Sequence, residues 1–260
     1  MKHCFRTLVA ALLGMWSLSA AAADSGGPVY ELRIYTTNEG KLDALLKRFR
    51  DHTLRLFEKH GIENIGYWLP VEKADGAETT LYYILRHKSR AAAKESFAAF
   101  GKDPEWQEAR KASEAGGKIL AKPPESIFLS PTDYCPELNL GHGSGERVFE
   151  LRTYTTPEGK LASLHDRFRN HTMRLFSKYG MTHIGYWTPT DAEKGAGTKL
   201  IYLLAHPSRE AGLNAFTQFR ADPEWQAAKA ESERNGSLTL PQPEGVKSVY
   251  LIGTDFSPLR

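Results

Sequence analysis

The chain's first regular pattern is an alternation. From Val29 to Tyr35, Tyr30, Leu32 and Ile34 fall on one side and Glu31, Arg33 and Tyr35 on the other, the period-two signature of a strand with one apolar face. The period then lengthens. Between about Glu39 and His60, Leu42, Leu45, Leu46, Phe49, Thr53, Leu56 and Phe57 recur at helical spacing and predict an amphipathic helix. Thr37 or Asn38 is placed to cap its start, and Gly61 to end it. Ile62–Trp68 and Thr79–His87 read as two strands of a hairpin, joined by a polar turn that contains Gly76. Ser89 caps a second helix, Asp103-Pro104 restarts helix as N-cap and first-turn proline, and Ser126–Leu129 reads as a fourth strand. The order β-α-β-β-α-β is that of a ferredoxin-like unit.

The same pattern then returns. Val29 corresponds to Val148 and Pro70 to Pro189 at a constant offset of 119, and about two-thirds of the paired positions are identical. Strands are expected at Val148–Tyr154, Met181–Trp187, Lys199–His206 and Ser248–Ile252, with a helix over Glu158–Tyr179. The final strand is offset by 122, so three extra residues precede it. Pro131–Glu146 has no apolar period and is rich in Pro, Gly and Ser. We therefore divide the chain into a first unit at 28–134, a linker at 135–146 and a second unit at 147–256. A four-stranded sheet with helices on one face leaves its other face bare. Two such units can bury those faces together, which predicts an α+β protein of two tandem ferredoxin-like units forming a pseudo-symmetric barrel within one chain. Further homo-oligomerisation stays open.

Composition narrows the class. With 41% hydrophobic and 25% charged residues among 260, the chain is that of a globular protein. Its net charge of +3 falls to 3 − 2 = +1 without Lys2 and Arg6, so no electrostatic footprint for nucleic acid is present. Those two residues precede an apolar run, Leu8–Leu18, and a small-residue stretch ending at Ala23. That arrangement predicts a signal peptide over 1–23 and an exported protein, periplasmic or secreted, with no membrane span after cleavage. Cys135 is then the sole cysteine, which rules out an intrachain disulfide. No His, Cys or carboxylate spacing predicts a metal site.

Two groups of residues are candidates for binding a ligand. The first is a stripe on the long helix, Arg48, His52, Arg55 and Lys59, repeated as Arg167, His171, Arg174 and Lys178. Steps of four, three and four place these side chains along one side. A histidine at the burial boundary beside fixed positive charge suits an anion, or a base of lowered pKa; the competing reading is a boundary histidine held by hydrogen bonds. The second group is Glu31, Arg33 and Tyr35 with Glu150, Arg152 and Tyr154. On the bare sheet face these polar side chains would enter the space between the units, joined by Tyr82 and Arg86, either as a structural network or as the wall of a cavity. Tyr67, Trp68, Trp106 and their counterparts Tyr186, Trp187 and Trp225 could line a pocket, but their spacing fits core better.

The motifs in order resemble the NIPSNAP family. They are Y/F-E-L-R-x-Y at Tyr30 and Phe149, E-G-K-L at Glu39 and Glu158, R-L-F-x-K-x-G at Arg55 and Arg174, I-G-Y-W at Ile65 and Ile184, and D-P-E-W-Q at Asp103 and Asp222. The resemblance spans both units and implies a dimeric α/β barrel. That superfamily includes cofactor-independent monooxygenases and haem enzymes. No catalytic residue carries over from the family. The expectation is an exported protein that binds a small molecule, with no cofactor of its own. The alternatives are a monooxygenase-like or isomerase-like enzyme with His52 and His171 as bases, or a haem binder.

Overall fold

The computed structural model describes residues 27–138, 140 and 147–260; the expected signal peptide and most of the linker lie outside them. Eight strands close into one barrel. The first unit supplies β1 (Val29–Thr36), β2 (Glu63–Pro70), β3 (Thr80–His87) and β4 (Glu125–Pro131). The second supplies β5 (Val148–Thr155), β6 (Thr182–Pro189), β7 (Lys199–His206) and β8 (Val246–Gly253). Their order around the barrel is β1-β3-β2-β8-β5-β7-β6-β4. Each unit thus keeps its own four-stranded antiparallel sheet. The two seams are short: Trp68–Pro70 of β2 pairs with Leu251–Gly253 of β8, and Leu129–Pro131 of β4 pairs with Trp187–Pro189 of β6. The tandem is a pseudo-dimer inside one chain.

Parity decides which residues fill the barrel. Leu32, Ile84 and Leu129 of one unit meet Leu151, Leu203 and Leu251 of the other, with Tyr30, Ile34 and Tyr82 packed against them. The apolar face of β1 therefore points inward. Trp68 and Trp187 sit in this core with essentially no exposure. The I-G-Y-W motif follows from that packing. A Cβ on Gly66 would lie 2.3 Å from the Trp68 ring, and one on Gly185 2.2 Å from the Trp187 ring, so only glycine lets each indole fold back over its own strand.

The helices cover the outside. The long helix is α1 (Leu42–Arg48), a π-helical turn (Phe49–Thr53) and α2 (Leu54–Lys59), followed after β3 by α3 (Arg90–Lys102) and α4 (Pro104–Ser113). The second unit repeats them as α5 (Leu161–Arg167), a π-helical turn (Phe168–Thr172), α6 (Met173–Lys178), α7 (Arg209–Ala221) and α8 (Pro223–Ser232). The long helix starts later than its pattern suggests: Lys41, not Thr37 or Asn38, stands at the cap position, without a side-chain cap bond. The π turn is an interruption the periodicity conceals. There the Thr53 hydroxyl donates to the Arg48 carbonyl at 3.1 Å, five residues back, and Thr172 does the same to Arg167 at 3.2 Å. The expected caps at Ser89 and Asp103 are present, as are Ser208 and Asp222 in the second unit. Among the described residues no helix is long and apolar enough to cross a membrane.

Candidate functional site

Strand pairing places the Glu-Arg-Tyr face under the helices, not between the units. This corrects the expectation that Glu31, Arg33 and Tyr35 enter the inter-unit space. The barrel takes the apolar side of β1, so the polar side must face the helix layer. Tyr82 packs against the barrel core, so its placement holds; what is corrected is that it and Arg86 join Glu31, Arg33 and Tyr35. Arg33 lies directly opposite Tyr83 in the β1–β3 register, and a one-residue change of parity moves Tyr82 to the barrel interior. Arg86 pairs instead with Glu63 at 2.8 Å.

In this layer the polar residues bond one another, with the Nδ1 of His87 left buried without a partner among the described residues. The Arg33 guanidinium donates to the Tyr83 hydroxyl at 2.8 Å, to Glu31 Oε1 at 2.5 Å and to the Tyr35 hydroxyl at 3.2 Å. Glu31 also accepts from the Ser126 hydroxyl at 2.6 Å, and its Oε2 lies 2.9 Å from His87 Nε2. The second unit repeats the network: Arg152 bonds Tyr202, Glu150 and Tyr154, and Glu150 meets Ser248 and His206. Burial alone would raise the Glu31 carboxyl, but His87, the Arg33 charge and Ser126 together hold it below its ordinary value. The same balance holds Glu150 down. His87, His206, Ser126 and Ser248 are not singled out by the sequence pattern. Their signal is parity: His87 and Ser126 share the face of Glu31 once the strands are registered.

The helix stripe does not act as a unit. Arg48 is buried beneath α4, where it donates to the Ser113 hydroxyl at 3.2 Å, stands 3.6 Å from Glu114 and lies against the Trp106 ring. Arg55 pairs with Glu105 on the surface and Lys59 with Asp103 at 2.6 Å. Arg167, Arg174 and Lys178 make the corresponding pairs with Glu233, Glu224 and Asp222. The stripe is thus chiefly a row of ion pairs tying the long helix to the D-P-E-W-Q turn and the helix after it. His52 is half-buried at a groove of about 310 Å³ between α1 and α4, beside Lys47 and Asp51. His171 is half-buried at the matching position.

One cavity brings candidates from both groups together. About 390 Å³ lies between the first unit's sheet and its helices, with Arg33 and Tyr35 on its floor and Arg48 and Thr53 on one wall. Phe97, Phe100 and Trp106 supply apolar surface, and Arg110, Glu114, Lys118 and Lys122 surround it. The volume lies within the range of small-molecule sites. Trp106 therefore lines a pocket, whereas Tyr67, Trp68, Tyr186 and Trp187 are fully buried core. Burial pulls the Arg48 pKa down and Glu114 offsets this incompletely, so an added anion beside it would be stabilised. Among the described residues the lining contains no His, Cys or Met. Tyr35 is its one residue of an axial-ligand type, and that hydroxyl already accepts from Arg33. The donor set does not fit haem.

Comparisons agree with this architecture. The chain is similar in fold to a "putative monooxygenase" of Fusobacterium nucleatum, at TM-score 0.53 and 13% identity, over 88% of this chain and 93% of that one. A "putative monooxygenase" of Lactobacillus acidophilus gives TM-score 0.53 and 13% identity over 89% and 98%. An "anthrone oxidase-like protein" gives 0.51 and 12% over 91% and 95%. At such identities these likenesses speak to the fold alone. No curated protein sequence matches the chain. The NIPSNAP family model matches twice, over residues 30–136 and 149–258, and the chain accordingly belongs to the NIPSNAP family, as a tandem of two of its domains folded into one dimeric-type α/β barrel.

Proposed function

We propose that this protein binds a small molecule in the cavity between sheet and helices of its first unit. The observation that carries the reading is the convergence there of Arg33, Tyr35 and Arg48 with an aromatic wall, in a volume of about 390 Å³. Of the candidate residues, these three touch the cavity. Glu31 stands behind them, fixing Arg33. The N-terminal pattern of Lys2, Arg6 and the apolar run to Leu18 supports export, so the ligand would be met outside the cytoplasm.

An oxygenase reading draws on the names of the fold neighbours, and an isomerase reading on His52 and His171 as bases. Either would need a base at the reacting atom. His52 borders the α1–α4 groove and is not among the residues lining the larger cavity, so binding is the better-supported activity. A thermal-shift screen of a metabolite library tests it. At least one compound should raise the melting temperature of the wild type and not of Leu120→Trp, in which a larger side chain at Leu120, which also lines the cavity, fills it. A screen without such a compound would refute the proposal.

A further inference from the structure

The two units share a backbone plan, but their helix–sheet layers differ in charge. In the first unit one carboxylate serves two arginines, and loosely. Glu114 lies 3.6 Å from Arg48 and 3.5 Å from Arg110. The Arg48 side chain is 4% exposed, and its Nε has no hydrogen-bond partner among the described residues. Lys118 and Lys122 stand at the same cavity, and among the described residues neither has an acidic partner within 4.0 Å. Arg33 is already neutralised by Glu31. Four cations therefore share one carboxylate around an aromatic-walled space.

The second unit lacks this excess. At the constant offset, Arg110 becomes Lys229, Lys118 becomes Ser237 and Lys122 becomes Pro241. Glu233 closes on Arg167 at 2.7 Å, where its counterpart stands off at 3.6 Å. Phe216 is also nearer its arginine: the Arg152 guanidinium lies 4.1 Å from that ring centre, against 4.8 Å for Arg33 over Phe97. A buried guanidinium held by a tight ion pair gains little from a new anion. The Nε of Arg167 is unpaired as well, so the two sites differ in how tightly the carboxylate is held, and the guanidinium with the slack partner gains more.

We infer that the first unit's cavity takes a small aromatic molecule bearing a carboxylate or a similarly compact anion, one molecule per chain, with its anionic group between Arg48 and the Lys118–Lys122 rim and its ring against Phe97, Phe100 and Trp106. This rests on the cavity being a binding site and adds the ligand class and stoichiometry. The flat π face suits the aromatic wall. The buried guanidinium gives directional hydrogen bonds, and the exposed lysines add a smaller attraction that salt screens.

Calorimetric titration of the full chain tests the inference. The probes are benzoate, naphthalene-2-carboxylate and indole-3-acetate, each beside its primary amide. At least one acid should bind at one equivalent per chain, about tenfold or more tighter than its amide, as a charge-assisted bond to Arg48 requires. Lys118→Ser with Lys122→Gln should weaken that acid by about tenfold at low salt and leave the amide unchanged. Lys229→Gln in the second unit should change neither. Acid and amide binding alike, with both lost in Leu120→Trp, would overturn the anionic class while leaving the binding cavity standing. Two equivalents per chain, or an acid indifferent to the lysine variant, would also overturn it. Binding of no probe, acid or amide, would count against the ligand class and the cavity together.

Discussion

Glu31 Oε2 lies 2.9 Å from His87 Nε2, with each side chain only 1% exposed, and this contact anchors the polar layer beneath the helices. The carboxylate also receives Arg33 and Ser126, so it is satisfied on both oxygens. Removing its charge leaves a buried guanidinium without its anion. Glu31→Gln should cost about 3 kcal/mol at neutral pH, measured by urea unfolding. The pH dependence has a definite sign. The folded carboxyl is held below its ordinary value, so its contribution is fully present above the unfolded pKa of about 4.3 and is lost as pH falls through the lower folded value. The gap between wild type and Glu31→Gln should therefore close on acidification below about pH 4. A gap that is unchanged there would mean the glutamate acts by shape and not by charge.

Gly66→Ala probes the barrel in the same quantitative way. The new Cβ would meet the Trp68 ring at 2.3 Å, inside a core with no exposed side to yield toward. Overpacking of this kind costs about 1–3 kcal/mol, and Gly185→Ala should match it against Trp187. Gly66→Ala combined with Trp68→Leu should lose less than the sum of the two single losses, since the two changes share one contact. Strictly additive losses in the double variant would show that the glycine serves another purpose.

Architecture is legible in the chain because it depends on periodicity and repetition. The alternation at Tyr30–Tyr35 and the returning motifs specify two sheets with one apolar face each, and burial of those faces leads to the barrel. The location of the site is less legible. It turns on which side of a two-sided sheet meets the helices, and β1 has large side chains on both. Tyr83, and not Tyr82, shares a face with Arg33, and in a strand one position is the opposite face. The cavity depends on Lys118 and Lys122 in a segment without regular period, and on the 3.6 Å separation of Arg48 from Glu114, which no sequence pattern encodes. The π turn is hidden for a related reason: its one extra residue leaves the apolar arc nearly intact.

That turn makes a prediction of its own. Thr53 donates its hydroxyl to the Arg48 carbonyl at 3.1 Å, tying the widened turn together, and it also lines the cavity. Thr53→Val keeps the shape and removes the donor. It should cost about 1 kcal/mol, read as a lowered melting temperature, as should Thr172→Val in the second unit. The two should differ in binding. Thr53→Val shifts the backbone that carries Arg48 and should weaken any ligand of the first unit, while Thr172→Val should leave its affinity unchanged. Equal effects on affinity would place the ligand elsewhere.

The short seams make the last prediction. In the chain, β2 pairs with β8 and β4 with β6, each through three residue pairs around a buried core. By the repeat, β8 is the counterpart of β4 and β6 of β2. Both seams therefore join a β2-type edge to a β4-type edge, and the first unit owns one of each. Expressed alone over residues 27–134, it would expose the inward face of Leu32, Ile84 and Leu129 together with two open strand edges. A second copy can cover both through a two-fold axis, pairing β2 with the partner's β4 at each seam. The isolated unit should run as a dimer in light scattering at micromolar concentration. Weakening the apolar contact with Leu129→Asp should shift it toward monomer or unfold it. A folded, stable monomer of the unmodified unit would show that the barrel face needs no partner, and burial of that face would then no longer account for the tandem.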